Sequence, residues 1–221
     1  MFAVIFEVNP NPDQWDAYLD YAQQLRPELE RIDGFIENER FASLRRPNWV
    51  LSLSIWRDEK AVVHWRTSAR HHEIQQKGRN EVVRDYHLRV GEIIADNQLP
   101  PGQSLIEQRL DETAAPAKLI ALSEAALADL ATEPDAKTVA ARIGAPGEAA
   151  DPGLVAWDVF KSIYQPDKFS LLTSWRGAAA AARWPAAAPG DVRHRRVRVI
   201  RDYGMFDRGE APQYYPEVGK I

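Results

Sequence analysis

Hydrophobic and polar positions along this chain alternate between strand-like and helix-like periods. Residues 2–8, FAVIFEV, form a nearly continuous apolar run and predict a buried strand. Trp15, Tyr18, Leu19, Ala22, Leu25, Leu29 and Ile32 then recur at helical spacing. Asn11 offers this helix an N-cap, Pro12 its first position and Asp13 a first-turn acid. Pro27 should bend the helix and Gly34 should end it. GFIENERFAS (34–43) and WVLSLSIW (49–56) read as strands around an RRPN turn, the second with its serines on one face. Asp58 can cap a second helix over 59–82, and RDYHLRVGEII (84–94) reads as a fourth strand. The order β-α-β-β-α-β is that of a ferredoxin-like unit.

A shift of 119 residues lays this pattern on the rest of the chain. Over positions 34–65 it gives nine identities without a gap, among them Gly34 with Gly153, Ser43 with Ser162, Trp56 with Trp175, Ala61 with Ala180 and Trp65 with Trp184. Such a run is an internal duplication. The second copy predicts strands at 118–125, 153–164, 168–175 and 195–206, and a short helix at 134–144. Its second helix starts in GAAAAARW but is cut off by Pro185. The chain therefore divides into a first repeat at 1–96, a linker at 97–116 with a short extended piece at Leu105–Leu110, and a degenerate second repeat with a tail at 117–221. A four-stranded antiparallel sheet with both helices on one face leaves its other face uncovered. The expected fold is α+β, with two antiparallel sheets packed face to face within one chain as a pseudo-dimeric barrel.

Composition narrows the chemistry. None of the 221 residues is cysteine, which excludes disulfides, thiolate metal sites and a Cys nucleophile. A net charge of −4 gives no reason to expect nucleic acid or an anionic membrane as partner. The apolar start is too short for a signal peptide or a membrane span, so a cytoplasmic protein is expected. The run RHRRVRVIR (193–201) alternates Arg and Val and reads as a charged outer face or a protected edge strand.

Projected as one helix, residues 59–82 present Trp65, His72, Gln76 and Arg79 on a narrow face beside Ala61 and Ala69. An aromatic wall, an imidazole and polar groups next to small residues suit a pocket between helix and sheet. The alternative is that Trp65 is core and His72 a satisfied polar neighbour. Val63 and Ile74 lie on the opposite face, so the inner face is not unambiguous. Trp56 and Tyr86 are further candidate substrate contacts. His71, His72 and Glu73 are successive residues whose side chains point about 100° apart, so no metal site is expected there.

The pattern DGF…ER…W…WR…AVVHWRTSARHHEIQQKGR…DYHLRVGE in residues 33–92 resembles the antibiotic biosynthesis monooxygenase family, of dimeric α+β barrel fold. The resemblance is close over the first repeat and weaker over the second. It implies a cofactor-free oxidoreductase that uses O₂ on an aromatic or phenolic small molecule. The family's helix tryptophan matches Trp65, its tyrosine six residues later falls on His71, and its asparagine four residues earlier falls on Ala61. Haem-degrading members share the tryptophan, but their axial histidine falls on Gln75 and their strand asparagine near Phe6 or Glu7, which disfavours that arrangement.

On this reading Trp65 stacks on the substrate, His72 or His71 takes a phenolic proton, and Arg79 holds the resulting anion. No cofactor is expected, and a homodimer could form on top of the intramolecular barrel. A ligand-binding protein without catalysis and a haem-binding protein are the alternatives. The pocket should lie in the first repeat, lined by Trp65 and His72, while Trp184 in the blank copy only packs.

Overall fold

The computed structural model describes residues 1–130, 134–144, 151–182 and 191–212. The first repeat runs β1 (Phe2–Pro10), α1 (Trp15–Leu29), β2 (Phe35–Ser43), β3 (Val50–Trp56), α2 (Glu59–Arg66), α3 (Ala69–Lys77), a π-helical turn (Gly78–Val82) and β4 (Val83–Asp96). The second runs β5 (Leu119–Ala126), α4 (Ala136–Ile143), β6 (Leu154–Ser162), β7 (Lys168–Trp175), α5 (Ala178–Ala182) and β8 (Arg193–Gly204). Antiparallel pairing closes all eight strands into one barrel in the order β1-β3-β2-β6-β7-β5-β8-β4.

The two sheets face each other across a shared core. Ile5, Leu53 and Ile55 from the first repeat meet Leu122, Leu172 and Val197 from the second. The sheets are also joined at their edges, which the sequence pattern did not reveal. β2 pairs with β6 from Phe41↔Ser162 to Ser43↔Phe160, and β4 pairs with β8 from His87↔Gly204 to Asp96↔Arg195. Full closure leaves no open edge. The arginine run of β8 is therefore no edge strand: it lies between β4 and β5. Arg195 is fully buried against Glu124 and Glu37, and Arg198 pairs with Glu92 at 2.6 Å.

The seam shows the pseudo-twofold directly. Ser43 donates to Asp158 at 2.9 Å, and its counterpart Ser162 donates to Glu39, the counterpart of Asp158, at 2.8 Å. The Leu44 N–H donates to the Val159 carbonyl at 2.8 Å, and the Ile163 N–H to the Arg40 carbonyl at 2.9 Å. Such mutual exchange is the signature of an isologous interface, here within one chain. Each end of the apolar interior is closed by a buried ion pair, Glu7 with Arg89 and Glu124 with Arg195.

The conserved frame has steric causes. Trp56 and Trp175 are both fully buried, and each indole N–H donates to the hydroxyl two residues earlier, Ser54 at 2.9 Å and Thr173 at 2.8 Å. A Cβ on Gly34 would lie 2.7 Å from the Ala61 Cβ, and one on Gly153 would lie 2.3 Å from the Ala180 Cβ. Glycine and alanine recur together because a helix crosses the strand start at that point in both copies.

Local hydrogen bonding moves several helix ends from their expected places. Asn11 does not cap α1. Its N–H donates to the Val82 carbonyl at 2.7 Å and its side chain to the Glu81 carbonyl at 3.2 Å, and Asp13 turns the chain at φ 63°. The helix expected over 59–82 is broken. The Thr67 hydroxyl bonds the Val63 carbonyl at 2.9 Å, ending α2, and the Ser68 side chain caps α3 by accepting from the His71 N–H. Hydroxyls of this kind offer the backbone an alternative to continuing the helix. Residues 97–118 carry no strand or helix, the stretch Leu105–Leu110 included. They are strapped along β4 and β8 through Gln108 to Glu92 and Thr113 to Val199. Trp184, Pro185 and most of the tail lie outside the described residues. No helix among the described residues is long and apolar enough to cross a membrane.

Adding one methyl group at Gly153 forces Ala180 and the start of α5 off the sheet. Gly153→Ala should lower stability by about 1–3 kcal/mol in denaturant unfolding. An unchanged midpoint would show that this close approach does not hold the second copy together.

Candidate active site

A cavity of about 230 Å³ lies between the outer face of the first sheet and its helices. Its floor follows from the alternation in β3: Leu51, Leu53 and Ile55 point into the barrel, so Ser52 and Ser54 point out, beside Val4 and Phe6 of β1 and Arg40 of β2. α1 supplies Tyr18 and Leu25, α2 supplies Trp65, and α3 with the π-helical turn supplies His71, Ile74 and Arg79. The second repeat closes one side with Tyr203, Arg208 and Pro212. The wall is mainly apolar, and its described residues include four arginines but no Asp or Glu.

Trp65 and His71 stack with ring centroids 4.1 Å apart and planes 15° from parallel. His71 Nδ1 lies 3.0 Å from the Trp65 carbonyl. A carbonyl can only accept, so Nδ1 holds the proton and Nε2 the lone pair. Burial pushes the His71 pKa down to about 4, partly opposed by that hydrogen bond. His71 is therefore a neutral, weakly basic imidazole at pH 7.

On the β4 side, the Tyr86 hydroxyl accepts from Arg79 at 2.9 Å and from Arg208 at 2.5 Å. Arg79 also donates to the Met205 carbonyl at 3.0 Å. Burial pushes the Tyr203 phenol up to about 12 and raises that of Tyr18, where Arg40 opposes the shift. Both stay protonated and can donate.

Of the residues expected at the site, Trp65, His71, Arg79 and Tyr86 line the cavity. His72 and Gln76 do not: both are exposed. The break at Thr67 and Ser68 resets the helical phase, so His71 and Gln75 line the cavity in place of the His72 and Gln76 that an unbroken projection from Trp65 puts on the inner side. Trp56 faces the helices like Ser52 and Ser54, but it sits under the start of α2 with Phe2 and Ala61 and is core. Glu7 faces the barrel interior on Arg89, whereas Phe6 faces the cavity.

Arg40, Asn38, Tyr18 and Arg208 escaped the sequence reading. A polar residue every second position in β2 looks like a solvent face. The signal lay in the repeat. The counterparts of Asn38, Arg40 and Ser52 are Trp157, Val159 and Leu171, and these pack with Val139, Ile143 and Phe169 in an apolar cluster. The second copy fills with side chains the space that the first leaves open.

The depressed His71 pKa has a consequence for stability. Between about pH 6.5 and 4 the unfolded chain binds a proton at this residue that the folded chain does not, so folding weakens as pH falls through that window. The loss from His71 is at most about 3 kcal/mol. His194, also lowered by burial, adds a slope of the same sign. His71→Phe keeps a ring against Trp65 and should flatten the dependence of unfolding free energy on pH between 7 and 4.5. An unchanged slope would mean that His71 is not held neutral.

The family model for antibiotic biosynthesis monooxygenase matches residues 1–77. A protein named Jasmonate monooxygenase ABM, from Pyricularia oryzae, is 45% identical over 221 residues, covering 98% of this chain and 99% of that protein. Among solved structures, an antibiotic biosynthesis monooxygenase covers 43% of this chain and 100% of its own, with 14% identity and a TM-score of 0.39. An anthrone oxidase-like protein covers 96% of both chains, with 11% identity and a TM-score of 0.38. On the strength of the end-to-end relative, the chain belongs to the antibiotic biosynthesis monooxygenase family.

Proposed function

We propose that the first-repeat cavity oxygenates a small, largely apolar molecule that carries an anionic group, such as jasmonate, the substrate in the relative's name. The observation that carries this reading is a mainly apolar wall with four arginines and no carboxylate among its described residues. A volume of about 230 Å³ lies below the roughly 300–1,000 Å³ of drug-sized pockets, which suits a small ligand. A carboxylate arrives charged at pH 7. A phenol, the substrate that family resemblance suggests, must first lose a proton. Passing it from a pKa of about 10 to an imidazole near 4 is about 8 kcal/mol uphill, so His71 serves better as a hydrogen-bond acceptor and aromatic wall than as a general base for phenols.

Monooxygenation sends one oxygen atom into the product and the other into water. Converting C–H to C–OH draws two electrons from an external reductant. Converting an activated CH₂ to C=O supplies both from the substrate, and that case runs with no cofactor. The test is incubation with ¹⁸O₂ and jasmonic acid, or with a phenolic anthrone, each with and without NADPH, followed by mass spectrometry. One labelled atom in product from jasmonic acid is expected, and Trp65→Ala should reduce turnover about tenfold or more. Absence of label from both compounds with folded protein would remove the reading; label from the anthrone alone would return the substrate class to phenols.

A further inference from the structure

We propose that Arg40 is the anchor for the anionic group of the ligand, a role that rests on reading the cavity as the site of a small anionic molecule. Arg40 is 9% exposed and lies on the cavity wall. Its Nε has no hydrogen-bond partner among the described residues. Its guanidinium shares a hydrogen bond with the Tyr18 phenol, a neutral group kept protonated by burial, and that contact supplies no counter-charge. A guanidinium taken out of water without a counter-charge is costly, and a bidentate carboxylate satisfies it best. At the other pole the guanidiniums are more fully engaged by the protein: Arg79 donates to Tyr86 and to the Met205 carbonyl, and Arg208 to Tyr86 and to the Gly204 carbonyl.

The sheet register gives the anchor its geometry. Arg40, Ser52, Phe6 and Leu88 form one row across β2, β3, β1 and β4. Three strand spacings, about 14 Å, separate the two ends of that row. A carboxylate on Arg40 therefore lays the apolar body of the ligand over Phe6, toward Leu88 and the pole of Tyr86.

The second repeat supplies an internal control. The counterpart of Arg40 is Val159, fully buried in the apolar cluster of the second copy. The same frame folds with valine at this place, so the buried charge is not a requirement of the fold.

The experiment is calorimetric binding of jasmonic acid and its methyl ester to the wild-type chain, Arg40→Val and Arg40→Lys, with thermal unfolding of each. The wild type should prefer the acid. Arg40→Val should lose about 10- to 100-fold in affinity for the acid, keep its affinity for the ester, and unfold at an equal or higher temperature. Arg40→Lys should retain part of the preference. A preference for the acid that survives Arg40→Val would overturn the anchor and leave the reading of the cavity standing. Equal binding of acid and ester by the wild type, or binding of neither, would overturn both.

Discussion

Barrel closure is the constraint on which the remaining structure depends. Each repeat alone has an apolar sheet face and two open edges. The partner repeat covers the face through the shared core and the edges through the β2–β6 and β4–β8 seams. Because both seams use the same backbone groups in exchanged roles, neither repeat can lose its inner face or edge register without opening the other. The outer faces carry no such obligation. They need only be covered by helices, so they are where the two copies could diverge.

They diverged in opposite directions. In the second copy Trp157, Val159 and Leu171 fill the space under the helices, and Trp175 anchors the cluster. In the first copy the same positions hold Asn38, Arg40 and Ser52, and the side chains leave a cavity. An open cavity forgoes packing, and a buried arginine adds a desolvation penalty. The intramolecular partner makes that tolerable, since the filled copy stabilises the barrel that both share. The second repeat is not a spectator at the site either: Tyr203 and Arg208 reach it from the end of β8 and the segment beyond.

The fold was readable because its cause is periodic. Alternating strands, two helical stretches and an ungapped 119-residue offset suffice to predict two related sheets in one chain, and the recurring pairs Gly34–Ala61 and Gly153–Ala180 show why those letters were kept. The site was readable only in part. Trp65, Arg79 and Tyr86 carry their chemistry openly, but the inner histidine depends on where one helix ends. Two hydroxyls, Thr67 and Ser68, decide that through bonds to the backbone that a uniform 100° projection ignores. Asn11 had the composition of a cap and a partner elsewhere, in the turn before β4. Arg40 was hidden because alternation alone does not tell a solvent-facing strand position from one that faces a cavity.

On the proposed function, the first copy binds and the second packs. A crystal structure of the chain soaked with jasmonic acid tests it most directly. One molecule is expected, in the first-repeat cavity, with its carboxylate on Arg40 and its body over Phe6 beside the Trp65–His71 stack. A molecule bound against the second sheet, near Trp157 and Val159, or one whose carboxylate faces away from Arg40, would contradict it.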